Sequence, residues 1–335
     1  MRGKSLSTDN ILCMIKRISI FTLCLLFLFD VQSQDSLPHV ANPNISINDS
    51  VHSVDSKNNR PFIAGGATVI FSAGSLIALN HAWYKDHART GFHTFDDSRE
   101  WLQVDKVGHI WSAYTFSRFA GDFWKWAGIN DKNAVLAGSV TSLVYLTGIE
   151  YLDGHSSKWG WSWSDMAANL AGSAIYASQE FAWNEQRIHV KFSSHKGDYD
   201  ASTMERADAL FGSSTAERLL KDYNHQAYWL SFNIKSFLPE SKLPGWLNIA
   251  IGYGAEGMLG GFENKWTDKN NAVQTRYDID RNRQYYISPD IDFTRIKTNS
   301  KNLRTLFSVL NCIKVPAPAL MINSKGKLKA YAVYF

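Results

Sequence analysis

Three stretches of this chain carry side chains whose type and spacing could do chemistry. They are Asp105-Lys106-Val107-Gly108-His109, Glu150-Tyr151-Leu152-Asp153-Gly154-His155, and Ser162-Trp163-Ser164-Asp165-Met166-Ala167-Ala168-Asn169 running on to Gly172. On a helix, Asp105 and His109 lie one turn apart on one face, as do Glu150 with Asp153 and Asp165 with Asn169. Each pair sits in apolar or aromatic sequence, where an ionisable group is costly unless it finds a partner. The pattern predicts one buried polar centre fed by three segments. Asp105, His109, Glu150 and Asp165 could hold a divalent metal, the one cofactor these residues suggest. Alternatively His109 or Glu150 could activate water as a general base, with Asp105 orienting the histidine. Asp105, His109, Glu150, Asp153, Asp165 and Asn169 are the catalytic candidates on that reading. A purely structural reading stands beside it. An Asp105–His109 hydrogen bond would fix helix packing, Asp153-Gly154 would form a turn, and Asp165 would be the acid of a capping box. Lys106 reads as a surface partner, and Arg118 with Asp122 as a structural pair. No phosphate loop, G-x-S-x-G elbow, H-E-x-x-H zinc signature or paired-cysteine motif occurs. The residues leave both readings open.

The elements that must position these groups are helices. Residues 62–81 are free of charge and long enough to cross a bilayer, yet their Gly, Ala and Ser content fits a buried helix packed through small residues better. A second helix is predicted over 101–126. Asn130 caps a third over 131–150, and Ser162 with Asp165 opens a fourth that ends near Gln186-Arg187. Short connections favour a bundle of neighbours. After about Tyr223 the pattern becomes β-like, over 228–234, 246–258, 285–296 and 328–335. An amphipathic helix over 300–312 is stopped by Val315-Pro316-Ala317-Pro318. The last strand, ending in Phe335, resembles the closing strand of outer-membrane barrels, but four or five strands are fewer than the eight such barrels need. The expected class is α+β: a bundle of about four helices, then a small antiparallel β-sheet with one amphipathic helix. The expected organisation is a signal peptide over 1–33, a disordered tether over 34–61, the bundle with the polar motifs over 62–222, and the antiparallel region over 223–335.

Composition narrows the setting. The 335 residues are 45% hydrophobic with a net charge of +4, too small and scattered for nucleic-acid binding. All twelve Trp fall between Trp83 and Trp266, a density that suits an aromatic core or a lipid or carbohydrate surface. Lys16-Arg17 followed by the uncharged residues 18–29, with Ser33 before Gln34, reads as a secretory signal; Met14 is an alternative start. Cys24 follows Leu23, where a lipobox needs a small residue, so no lipid anchor is read. With Cys13 and Cys24 in the leader, only Cys312 remains and no intramolecular disulfide is expected.

Asp105-Lys106-x-x-His109, Glu150-x-x-Asp153-Gly154 and Ser164-Asp165-x-x-Ala168-Asn169-x-x-Gly172 resemble the YfiM-like family of predicted periplasmic lipoproteins, a domain of unknown function (2279), and its Bacteroidetes branch above all. The resemblance continues through Trp183-Asn184-Glu185-Gln186-Arg187, Leu220-Lys221-Asp222-Tyr223-Asn224 and Lys314-Val315-Pro316-Ala317-Pro318. The acidic and histidine series is also similar to VanZ-like membrane proteins linked to glycopeptide resistance. The resemblance implies a periplasmic, envelope-associated protein without an assigned reaction. The functional expectation is a non-enzymatic envelope protein that binds membrane lipid or envelope glycan, or supports assembly with an envelope protein partner. The alternative is a hydrolase of an envelope lipid or glycan. The expected location is the periplasmic side of the envelope, against the outer membrane; the alternative is an integral inner-membrane protein using 62–81 and 133–149 as spans.

Overall fold

The computed structural model of the chain describes residues 59–81, 88–268 and 270–334; the leader, the tether up to residue 58 and Trp83 lie outside them. Four long helices come first: α1 (Arg60–Leu79), α2 (Val104–Trp126), α3 (Asp131–Asp153) and α4 (Trp163–Trp183). Asn130 and Ser162 cap α3 and α4, their side chains accepting from Asn133 N and Asp165 N at 3.0 Å each. α2 runs through the middle, against both α3 and α4. Two glycines set that closeness. A Cβ on Gly138 of α3 would stand 2.4 Å from the backbone nitrogen of Gly121 in α2, and one on Gly172 of α4 would stand 2.2 Å from the carbonyl of Ile110. The three backbones nearly touch, which brings the polar motifs within reach of one another.

Two helices differ from the sequence pattern. α2 begins at Val104, because Trp101, Leu102 and Gln103 all take left-handed conformations, with φ of 49°, 51° and 67°. Distant groups hold this turn. Trp101 N donates to Gly261 O at 2.7 Å, Tyr253 Oη donates to the carbonyl of Leu102, and Arg283 donates to Gln103 Oε1 at 2.7 Å. Helical periodicity cannot foresee partners 150 or more residues away. α1, expected to be buried through its small residues, buries only Ala64 and exposes Phe62, Ile63, Val69, Ile70 and Ile77. It leans on the bundle along one strip, where Leu76 meets Gly148, and no other described element covers it. α1 and α3 are each long and apolar enough to cross a membrane by length and composition.

The C-terminal half is an antiparallel sheet of six strands, in the order β1 (Ile188–Ser194), β2 (Gln226–Asn233), β3 (Leu247–Glu256), β6 (Asn282–Ile291), β7 (Ala317–Asn323) and β8 (Leu328–Tyr334). A separate hairpin pairs β4 (Lys265–Thr267) with β5 (Val273–Thr275). Short helices α5 (Met204–Phe211), α6 (Thr215–Lys221) and α7 (Ile234–Phe237) fill connections, and α8 (Lys301–Leu310) is the amphipathic helix, capped by Ser300. Arg118 does not simply serve Asp122: it donates to Ser308 O at 2.9 Å and to Cys312 Sγ, tying α2 to α8. Neither β1 nor β7 was evident in the sequence. The run Val315 to Pro318 follows the end of α8 and also leads into β7, where Pro is tolerated because it stands at a strand's start.

Along one central strand the polarity of the sheet is reversed. Along β6, Asn282, Gln284, Tyr286, Ser288 and Asp290 are buried, while Tyr285, Ile287 and Pro289 are exposed. The buried face is lined with charge: Lys191 Nζ meets Asp290 Oδ2 at 2.8 Å, Ser231 Oγ donates to the same carboxylate at 2.6 Å, and His189 meets Asp292 at 3.1 Å. Three strands separate β2 from β8, yet the rings of Trp229 and Tyr334 lie 6.1 Å apart, so the sheet curls around this polar interior. On the outward face, Phe192, Tyr228 and Tyr253 pack with Val104, Val107 and Trp111 of α2. Of the eleven Trp among the described residues, Trp229 is buried, Trp163, Trp183 and Trp246 are exposed, and the other seven are half-buried.

Close helix approach at Gly172 makes a direct prediction. Gly172→Val forces α2 and α4 apart and should cost about 3 kcal/mol in a denaturant titration. Gly66→Ala, in α1 with open space around it, should be neutral or slightly stabilising in the same measurement.

Candidate functional site

Loop 88–99 is the piece that completes the centre. It pairs with the connection between α3 and α4 through bridges Arg89–Ser156 and Thr94–Trp161, and Phe95 N donates to Trp161 O at 3.0 Å. This docks Asp97 over the start of α4. Asp97 was not among the sequence candidates, since a loop Asp in Asp96-Asp97-Ser98 reads as solvated; only the docking of its loop buries it.

Lys106 sits at the middle. Its Nζ lies 2.7 Å from Asp97 Oδ2, 3.0 Å from Asp105 Oδ2 and 2.7 Å from Asp165 Oδ1, and all four residues are buried. The surface role expected for Lys106 is therefore corrected. The burial of Asp97 draws the ammonium inward, and the first turn of α2 points at it. Asp97 also accepts from Ser162 Oγ and Ser164 Oγ, at 2.5 and 2.6 Å. The cap half of the Ser162–Asp165 motif forms, but the Asp165 carboxylate goes to Lys106 instead of back to the cap.

Beside this ion cluster stands His109. Its Nδ1 lies 3.1 Å from Asn169 Oδ1 and 3.9 Å from Glu150 Oε1, and its Nε2 lies 3.5 Å from Asp165 Oδ1. Asp105 was expected to orient this ring. Its carboxylate turns to Lys106, and Asn169, one helix away, holds the imidazole. Glu150, 1% exposed at the end of α3, accepts from Ser162 N at 3.4 Å. Asp153, one turn on and half-buried, acts on the centre by its charge, adding to the field at Glu150. His155 packs between Phe92 and Tyr151 and bonds the Tyr151 carbonyl at 2.9 Å, outside the centre.

The charges are unbalanced. Asp97, Glu100, Asp105, Glu150 and Asp165 surround one lysine and one histidine, and the proton affinities show which carboxylates bear the cost. Burial opposes the charge of Asp97, but hydrogen bonds from Lys106, Ser162 and Ser164 outweigh it and hold the group at about 2. Burial raises Asp105 to about 6 against the pull of Lys106. Burial, then repulsion from Asp105 and Asp97, raises Glu100 to about 7. Burial, then Asp165 and Asp153, raises Glu150 to about 8, so it holds a proton at neutral pH. Lys106 is pushed up despite burial by Asp105 and Asp165. Asp105 Oδ1 and Asn169 Nδ2 are buried without a partner.

Two groups have ligand atoms within 4.8 Å of one another: His109, Glu150 and Asp165, and Asp97, Asp105 and Asp165. In the second, the Lys106 ammonium occupies the position that a cation would take. The first remains geometrically able to hold a divalent ion, with His109 as its most accessible member. A water-activating base is likewise within the means of His109, whose ring is held by Asn169 and whose second nitrogen faces Asp165.

A helical bundle locked by a buried ion cluster, followed by a curled antiparallel sheet, is the class of protein that fold and site define. A family model described as predicted periplasmic lipoprotein, of unknown function (DUF2279), matches residues 93–179. That stretch contains every residue of the centre, from Asp97 to Asn169, together with α2, α3 and most of α4. No curated protein and no solved structure matches the chain.

Glu150 gives a pH prediction with a definite sign. Its folded-state pKa of about 8 lies above the ordinary glutamate value of 4.5, so the unfolded chain releases this proton first. Its contribution to stability is present below about pH 4.5 and is lost as pH rises through about 8. Glu150→Gln should melt above the unmodified protein at pH 8, and the gap should narrow steadily on titration down to pH 5. A constant gap across that range would contradict the assignment.

Proposed function

We propose that this chain is a non-enzymatic envelope protein on the periplasmic side of the cell, seated against the outer membrane, that binds membrane lipid or envelope glycan or supports assembly with an envelope partner. The observation that carries the reading is the Lys106 ammonium enclosed by Asp97, Asp105 and Asp165. Its cation comes from within the chain: the loop before α2, α2 and α4 are joined by the Lys106 ammonium, which is how a polar group holds helices in register. The binding part of the reading is supported by the exposed stripe Leu136, Val140, Val144 and Tyr151, spaced at one or two helical turns along α3, and by the uncovered apolar face of α1. The match to a predicted periplasmic lipoprotein family supports the compartment. The YfiM-like, Bacteroidetes-branch and VanZ-like likenesses rest on the motif residues themselves and point the same way.

A hydrolase of an envelope lipid or glycan is the second reading. It is favoured by one specific observation: His109, Glu150 and Asp165 stand within ligand distance of one another beside a carboxyl that is protonated at neutral pH.

Two sets of variants separate the readings. Lys106→Met leaves three buried carboxylates without their cation and should cost roughly 3–5 kcal/mol in a chemical melt. His109→Ala and Glu150→Ala should both lower the melting temperature at pH 6, with any envelope defect, scored as detergent sensitivity of the cells, following the loss of folded protein. Elemental analysis of the purified protein should find no stoichiometric metal. An envelope defect with unchanged melting, or a tightly held divalent ion lost in these variants, would establish the chemical reading instead.

A further inference from the structure

We infer that the outward face of the curled sheet is a lipid-contact surface, seated in the periplasm-facing leaflet of a bilayer; this rests on the envelope-binding reading above and names the ligand as a glycerophospholipid. The register builds an apolar row straight across four strands. Leu230 of β2 faces Ile251 of β3, which faces Ile287 of β6, which faces Leu320 of β7. All four are exposed, by 40%, 54%, 45% and 59%. A water-facing antiparallel sheet puts polar side chains outward and apolar ones inward. Here the exposed positions of that row are apolar on all four strands, while the buried face combines the Lys191–Asp290 pair and its hydroxyl partner with an apolar cluster that includes Trp229, Tyr286, Met321 and Tyr334. An apolar outward face is what a lipid-facing sheet requires.

The edge of the patch fits a headgroup region. In the next row, toward the β7–β8 turn, Tyr285 is 45% exposed beside Tyr253, which packs on α2, and beyond it Lys327 adjoins Leu328, which is 74% exposed. Tyrosines and lysines belong at the level of an anionic headgroup, with ring or stem in the apolar layer and the polar end in water. From Tyr253 back to Leu247, where Trp246 is again exposed, the band is roughly 20 Å long at about 3.4 Å per residue. That is deep enough for one leaflet of a core about 30 Å thick. The outer edge of β8 has no strand partner among the described residues, and an open edge cannot cross hydrocarbon. The face therefore lies in the leaflet and does not span it.

The test uses the full chain and flotation with vesicles of phosphatidylethanolamine and phosphatidylglycerol. Three proteins are compared: unmodified, Ile251→Glu/Ile287→Glu on the sheet, and Val140→Glu/Val144→Glu on α3. The inference expects the sheet variant to lose at least tenfold in vesicle-bound fraction with melting unchanged. A sheet variant that floats like the unmodified protein overturns it; loss in the α3 variant alone then leaves the lipid reading standing and moves its surface to the bundle. Absence of flotation by the unmodified protein overturns both. A dimer by sedimentation that Ile251→Glu/Ile287→Glu dissolves, with no lipid binding, overturns it in favour of a second copy of this chain. Should the double variant misfold, Leu320→Cys carrying an environment-sensitive dye replaces it: a several-fold fluorescence gain on vesicles is expected, and an unchanged signal overturns the inference.

Discussion

One ammonium group organises the helical half of this protein. Lys106 Nζ is bonded to carboxylates from the loop before α2, from α2 itself and from α4, at 2.7–3.0 Å. Buried charges survive only when paired and hydrogen-bonded, so each of these segments is constrained by the need to deliver its oxygen to that point. The constraint extends outward. Asp97 reaches the ammonium only because its loop pairs with the α3–α4 connection, and Asp165 only because Gly172 lets α4 approach the backbone of α2.

The cluster is nevertheless over-supplied with acid. One lysine cannot compensate five carboxylates, and the imbalance appears as protons retained on Glu100 and Glu150 near neutral pH. A centre of this kind is stable and also reactive in principle: the same desolvation that protonates Glu150 would make it a proton donor, and the same crowding makes a cation welcome beside His109. What weighs toward a structural role is that the most negative position is already filled from within the chain. A metal among Asp97, Asp105 and Asp165 would have to displace Lys106.

The two halves are coupled through an unusual turn. Trp101, Leu102 and Gln103 adopt left-handed conformations one turn before Asp105, and they are held by groups from the sheet half: Gly261, Tyr253 and Arg283. The start of α2, and with it the placement of Asp105 and Lys106, depends on the β-region being folded. The sheet in turn rests its aromatic outward residues on α2 while turning its charged residues into its own curl. Buried ion pairs therefore occur twice, once between helices and once inside the sheet beside the cluster of Trp229, Tyr286 and Tyr334, and apolar surface is left outside both.

Much of this was legible in the residues alone. The uncharged run of α3, the caps at Asn130 and Ser162 and the amphipathic pattern of α8 are local signals, and helices formed where they stood. The convergence of Asp105, His109, Glu150, Asp165 and Asn169 was legible too, because ionisable groups in apolar helices have few ways to be satisfied except by one another. Three things were decided only by tertiary structure. Asp97 became part of the centre through loop docking, which carries no periodic signature. Lys106 turned inward because the carboxylates were there to receive it, whereas its sequence neighbourhood reads the same for an exposed lysine. Asp105 and His109, at ideal helical spacing, took other partners, since proximity along a helix sets what can meet and the surrounding charges set what does. The sheet shows the same limit from the other side. Alternation along β6 was visible as a strand, but which set of alternate residues faces inward is a property of what lies on either side of the sheet, and here the polar set was chosen.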